Sequence, residues 1–367
     1  MIQPHPILVI RRVPHRPKAA YMYQYIRPIR GHHPRHAPAR VSLILAGALW
    51  SCAATAQTAP PASAAPTLFG PVLPVPTTAT PKTGAKKPSS KRLTLTLKAG
   101  VAYDSDVAIS QINTSSGQSD RLANLGLSAN YKLVSTPSHS LSIGYDYAQS
   151  LHVSLPSYDI QLHSFSASGS VTVRKATLGV TYSFSHVLLG AHPFLDLHLV
   201  NPSVLVPVTH KIFVRPSWVY LDETFTTNPA HNATHNQPGV QLFYFFRQSR
   251  AYVLLGANYQ REKTAGPEFV FKGYALSASL NIPVKLLKVR GKLKAEYEWL
   301  SRDYDNITPS IGVNRFDRAS TVKLGAEVPL IKKLSLGVEA KHIGRSSNVS
   351  YANLDDNVAS GELIYRF

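Results

Sequence analysis

From Leu93 to its last residue the chain alternates apolar and polar positions with a period of two. Leu93, Leu95, Leu97, Ala99, Val101 and Tyr103 open the series, Leu125, Leu127, Ala129, Tyr131 and Leu133 repeat it, and Leu178, Val180, Tyr182 and Phe184 repeat it again. Such a period predicts strands with one apolar and one polar face. Strands are expected at about 93–104, 121–133, 140–150, 160–173, 176–185, 195–207, 210–221, 239–248, 251–261, 271–283, 290–302, 316–328, 333–344 and 358–367, which makes about fourteen in an all-β chain.

With these boundaries the odd connections run about 16, 9, 9, 17, 9, 13 and 13 residues and the even ones about 6, 2, 2, 2, 6 and 4. Long loops at one rim and tight turns at the other predict a transmembrane antiparallel up-and-down β-barrel, with both ends of the chain on the turn side. Charge sorts the same way. The long connections are rich in acids (Asp106, Asp120, Asp222, Glu223, Asp303, Asp305, Asp355, Asp356) against Lys263, Arg315 and Arg345, whereas Arg174, Lys175, Arg250, Lys285, Lys288 and Lys332 make the short ones purely basic. Basic turns suit anionic lipid headgroups, and acidic loops suit the divalent cations that bridge lipopolysaccharide. Tyr103, Tyr131, Tyr145, Tyr147, Trp218, Tyr220, Phe243, Phe245, Tyr259, Tyr297, Trp299 and Phe316 fall near strand ends and are expected to form an aromatic girdle.

Composition alters this picture mainly at the front. The 367 residues carry a formal charge of +19, yet residues 1–56 hold eight of the 39 Lys and Arg and none of the 20 acids. Residues 41–56 form the longest apolar stretch and end in Ala54-Thr55-Ala56, so 1–56 reads as a basic leader and signal peptide, with Met22 as a second possible start. Removing it leaves 31 bases against 20 acids, a charge of +11, and takes away the best support for nucleic-acid binding. The single cysteine, Cys52, lies in the leader within a poor acylation box, so disulfides and thiolate metal sites are not expected. Residues 57–92, rich in Pro, Ala and Thr, are expected to form an extended periplasmic linker. No apolar run is long enough for a helix of about 20 residues to cross a bilayer, which excludes an α-helical membrane protein.

If the apolar face meets lipid, the other face lines a lumen. From Arg290 onward, Leu293, Ala295, Tyr297 and Trp299 would point outward, while Lys292, Lys294, Glu296 and Glu298 point inward with Lys323, Glu327, Glu339 and Lys341 of the next strands. Such a lattice either braces the wall or screens solutes in a water-filled pore. The connections 105–120 and 222–238 are the candidate constrictions. His186, His192 and His198 flank one connection, and His231 and His235 stand four apart in another, but Pro229 removes the helical spacing that a metal pair would need. No local spacing identifies a nucleophile with its base, so no catalytic residues, metal or cofactor are assigned.

The chain ends Leu363-Ile-Tyr365-Arg-Phe367, with Leu363, Tyr365 and Phe367 on one face. This ending resembles the assembly signal of bacterial outer-membrane β-barrels. Gly100-Val-Ala-Tyr103-Asp104-Ser105-Asp106-Val107, the stretch Ser157-Tyr158-Asp159-Ile-Gln161-Leu-His163-Ser164, and Arg345-Ser-Ser347-Asn348 through to Phe367 resemble putative porin-2 barrels and the barrel of the surface lipoprotein assembly modifier. That modifier carries a helical repeat domain in front of its barrel, where this chain has the Pro-rich linker, and the terminal assembly signal usually has Gly where Glu362 stands, with Gly361 one position off. The resemblance implies an outer-membrane location, the barrel assembly machinery as a partner, and a passive channel or export pore for small polar solutes or a polymer. An accessory for surface lipoprotein display and a rim lipid hydrolase are the alternatives.

Overall fold

The computed structural model describes residues 92–367 apart from Ser249, Leu287 and Lys288; the leader, Cys52, nearly all of the linker and Lys288 lie outside the described residues. Fourteen strands close one barrel: β1 Leu93–Asp104, β2 Asp120–Ser135, β3 His139–His152, β4 Ile160–Val173, β5 Ala176–Leu189, β6 His192–Pro207, β7 Ile212–Phe225, β8 Ala233–Phe246, β9 Ala251–Thr264, β10 Phe271–Leu286, β11 Val289–Thr308, β12 Val313–Pro329, β13 Leu334–Ser347 and β14 Leu354–Arg366. Each pairs antiparallel with its sequence neighbours, and β1 meets β14 from Thr96 opposite Arg366 to Asp104 opposite Val358. Closure leaves no unpaired strand edge, which a span through hydrocarbon requires.

The period of two sorts the side chains into an outer and an inner face. Leu97, Val101, Leu125, Phe165, Val180, Trp218, Leu276, Leu293, Leu324 and Val338 are exposed on the outside, far more apolar surface than a water-soluble sheet leaves uncovered. Inward positions are small and polar on β2–β5, a mixture of bulky apolar residues and buried polar ones such as Asn201, Arg215, Gln237 and Gln260 on β6–β9, and charged on β11–β14 and β1.

Both barrel ends carry connections of one kind. The loop end has L1 (105–119), L2 (153–159), L3 (190–191), L4 (226–232), L5 (265–270), L6 (309–312) and L7 (348–353); the turn end has 136–138, 174–175, 208–211, 247–250, 287–288 and 330–333. The strict alternation of long and short connections does not survive. L3 is a two-residue turn, Gly190 and Ala191 at φ 56° and 65°, where nine residues were expected, and 222–238 shrinks to the seven residues of L4. Strands run on past the apolar band with polar residues on both faces, and a reading keyed to alternating hydrophobicity stops too early. The constriction expected at 222–238 is therefore not a long loop, and His235 belongs to β8 while His231 stays in L4. Charge is still sorted: the acids of the loops are Asp106, Asp159 and Glu268, and Arg174, Lys175, Lys211, Arg247, Arg250, Lys332 and Lys333 give the turns bases only.

Phe243 and Phe245 are corrections to the girdle. They point inward and are buried, packed with Leu254 and flanked by Phe213 and Tyr252. Phe213 and Phe245 meet edge to face at 5.6 Å, a favourable arrangement for two rings. The outward positions of β8 are Val240, Leu242 and Tyr244. An unbroken apolar run, Leu242–Phe246, gave no signal for which alternate set would face lipid.

Candidate functional site

The inner wall of β11–β14 and β1 holds the lysines and glutamates of the charged strands. Register sets Lys292 opposite Glu327, Glu296 opposite Lys323, and Lys323 opposite Lys341. Lys294 pairs with Glu296 at 2.7 Å, and Lys323 reaches the same carboxylate at 3.9 Å. Arg366 grips Glu327 with two nitrogens, at 2.8 and 3.1 Å, and Lys98 closes the seam onto Glu362 at 3.2 Å. Glu298 and Glu339 share this face and are half-buried, as is Lys341. Opposite charges offset the direct facing of Lys323 and Lys341, which on its own destabilises a sheet.

Toward the loop end the same wall becomes dry. Arg315 and Asp317 form a fork-to-carboxylate pair, Nε to Oδ1 at 2.9 Å and Nη2 to Oδ2 at 2.7 Å, with both side chains 2% exposed. The Tyr304 hydroxyl donates to Asp317 Oδ2 at 3.1 Å, and Arg315 lies 4.7 Å from the Tyr304 ring centroid. Phe271 packs on Tyr304 with Arg302 at 4.3 Å from its ring. Next to it His235 stands between Glu223 and Glu262, 3.3 Å from each. Arg315 was expected in a rim loop; it is the third residue of β12 and faces inward because the alternation Arg315-x-Asp317 continues the strand below it. That i, i+2 spacing was the available signal.

L1 folds across this end rather than away from it. Asp106 bonds the Ser115 hydroxyl and accepts from the Gly117 amide at 3.1 Å, and Ala108–Ile109 pairs with Thr114–Ser115 in a miniature ladder. Ile109 is buried with Val187, Phe194, Leu195 and Phe225 of β5–β7, four to six strands around from the strand that delivers it. A register shift between Val187 and Leu188 lets the chain neighbours Phe194 and Leu195 both be buried there. On the other side Arg345 of β13 donates to Asn113 Oδ1 at 2.8 Å and to the Ala352 carbonyl of L7 at 2.5 Å. Asn113 has φ 53°, in the left-handed region that asparagine tolerates better than most residues.

The closed sheet, its apolar exterior and its charged interior together fix the class. The chain is a closed transmembrane β-barrel. No protein-family model matches it, and neither does any curated protein. Solved structures similar to it include OccAB3 of Acinetobacter baumannii (10% identity, 75% of this chain and 99% of that chain, TM-score 0.43) and the outer-membrane expressed OmpT of Vibrio cholerae (11%, 76% and 99%, 0.45). A bacterial polysaccharide outer membrane secretin matches at 9% identity over 74% of this chain and 98% of that one, with a TM-score of 0.40.

At the turn end of this transmembrane barrel, Leu363 and Phe367 are exposed on the outer face beside the half-buried Tyr365, while Ile364 is buried on the inner one. The rings of Tyr365 and Phe367 meet edge to face at 4.6 Å, and the Phe367 amide donates to the Leu95 carbonyl at 3.0 Å, so the last residue is tied to the first strand. The histidines singled out in the sequence do not converge. His186 pairs with Asp196 at 2.6 Å, and His198 shares a hydrogen bond of 3.0 Å with the Tyr182 hydroxyl, each with its own partner. His231 stacks on Phe269 at 4.0 Å, and burial there pushes its pKa below the ordinary imidazole value.

Proposed function

We propose that the barrel is a passive channel for small polar solutes, with the loop end facing outward, the turn end in the periplasm, and Leu363, Tyr365 and Phe367 read by the barrel assembly machinery. The observation that carries this reading is the solvation of the Lys294–Glu296 pair within the charged wall. Lys294 and Glu296 form a close pair, yet their side chains remain 30% and 24% exposed, and they sit on the inner face where lipid does not reach. A wall built only as a brace has no need to keep its ion pairs wet, whereas a polar conduit does. The basic turns then lie against anionic lipid and the acidic loops against lipopolysaccharide and its cations.

Purified, heat-modifiable protein in a planar bilayer should give discrete conductance steps. Lys294→Gln should shift the reversal potential in a salt gradient without abolishing current, because a narrow wet pore focuses the field of each wall charge. Folded protein that carries no current would overturn the channel.

A further inference from the structure

The inner face of β4 and β5 has a different chemistry from that of β11–β14. Every second residue from Ser164 to Thr172 is a serine or threonine, and β5 answers with Thr177, Thr181, Ser183 and Ser185. These side chains are half-buried and solvent-reachable. They join across strands, Ser185 donating to Ser164 at 2.9 Å, Ser168 with Thr181 at 3.0 Å and Thr172 with Thr177 at 3.0 Å, and Ser170 joins Ser140 of β3 at 2.7 Å. Ser166 lies over Gly144 of β3, where a Cβ would stand 2.6 Å from its hydroxyl, so the glycine leaves room for that oxygen against the wall. The ionisable residue nearest this face in register is Asp146, opposite Ser164.

A hydroxyl has one donor and two acceptor positions, and a bond between two hydroxyls uses one donor and one acceptor. Each pair therefore keeps one donor and three acceptor positions for a third party. The carpet is neutral, holds both roles at a spacing of two residues, and is built of small side chains that leave lumen volume free. In the charged wall the cations are held by carboxylates, Lys294 and Lys323 by Glu296, Arg366 by Glu327 and Lys98 by Glu362. On β6–β9 the inward polar residues Asn201, Arg215, Gln237 and Gln260 are buried together with Leu195, Phe225, Phe243 and Leu254, so they do not offer the solvent-reachable surface that the hydroxyls of β4 and β5 do.

Building on the channel reading, we infer that the β4–β5 hydroxyl carpet is the solute-contacting surface and that it selects neutral polyhydroxylated solutes, saccharides or polyols, over ions and zwitterions of similar size. A saccharide hydroxyl both donates and accepts, which matches the positions the carpet keeps, and it needs no counter-charge.

The test is block of ion current by maltotriose, with glycine betaine as the zwitterionic control. Maltotriose should interrupt the current in a concentration-dependent way and betaine should not. The combined substitution Ser166→Ala, Ser168→Ala and Ser183→Ala removes three hydroxyls without narrowing the pore, and it should weaken the block by roughly tenfold, the effect expected of a few ordinary hydrogen bonds exposed to water. Ser→Thr at the same positions should retain the block, and Lys294→Gln should leave it unchanged. Current without maltotriose block, or equal block in the alanine variant, overturns the saccharide inference and leaves the channel standing. Absence of current from folded protein overturns both. A longer maltodextrin that blocks from one side only would point to a polymer rather than a free sugar as the source of this chemistry, with the same carpet at work.

Discussion

Two ion pairs of one wall, Lys294–Glu296 and Arg315–Asp317, have the same chemistry and opposite circumstances. Both are close, at 2.7 Å, and both join residues two apart on one strand. The first lies along the middle of the barrel and keeps roughly a quarter of each side chain in water; the second lies at the loop end and is dry. A wet pair gains little from its Coulomb energy, because water competes for both charges. A dry pair has lost that competition and depends on its geometry, so removing one partner strands the other. The wall is thus a solvated stretch that tolerates change below a sealed stretch that does not.

The sealed stretch gives the largest effect. Asp317→Ala leaves the Arg315 guanidinium without its carboxylate in a buried site and should cost about 3–5 kcal/mol, read as a lower denaturant midpoint of the folded band. Replacing Arg315 and Asp317 together by apolar residues of similar volume should recover much of that loss; no recovery would mean that the pair holds a conformation apolar packing cannot supply. Next comes the outer face, one position along from the wet pair. Leu293→Lys puts a charge in lipid and should cost about 2–4 kcal/mol if the position lies near the bilayer midplane, seen as less folded protein in membranes. Lys294→Gln, its neighbour on the inner face, should cost no more than about 1 kcal/mol. Equal tolerance at 293 and 294 would break the inside-outside assignment on which the comparison stands.

The smallest effect concerns pH. His231 has its pKa lowered by burial, so the neutral ring contributes to L4 above the ordinary imidazole pKa of about 6.5, and that contribution is lost as pH falls through this value toward the lowered one. Amide exchange at L4 should therefore quicken on acidification, and His231→Phe, which keeps the stack on Phe269 and removes the proton site, should flatten the response. An unchanged pH profile in that variant would assign the loosening to another group.

The number of strands, their pairing order and the lipid-facing residues of most strands were legible because hydrocarbon enforces the period of two. Lys292 to Glu298 could be placed by counting from Leu293, since every second residue there is apolar. The loop end was not legible for a physical reason: above the membrane both faces of a strand meet polar surroundings, and the pattern that marks a strand disappears although its hydrogen bonds continue. Asp303, Asp305 and Arg315 were read as loop on that account, although the structure carries β11 and β12 through them. Phe243 and Phe245 failed in the opposite sense, since an apolar residue on the inner face looks the same in sequence as one on the outer. The seat of Ile109 against β5–β7 depends on contacts between residues 78 to 116 apart in the chain, and nothing local encodes it.

L1 also has a mechanical meaning. A hollow cylinder of hydrogen-bonded strands resists stretching along its circumference but flattens easily into an oval, because that motion bends the sheet slightly everywhere and breaks no ladder. A chord fixed at both ends opposes flattening in proportion to its stiffness. L1 leaves β1, is anchored by Ile109 to β5–β7 and by Asn113 to Arg345 of β13, and so stands as a strut across the rim. The loop end should keep a round cross-section under lateral pressure from the surrounding lipid, while the turn end, spanned by connections of two to four residues, follows the bilayer as it deforms.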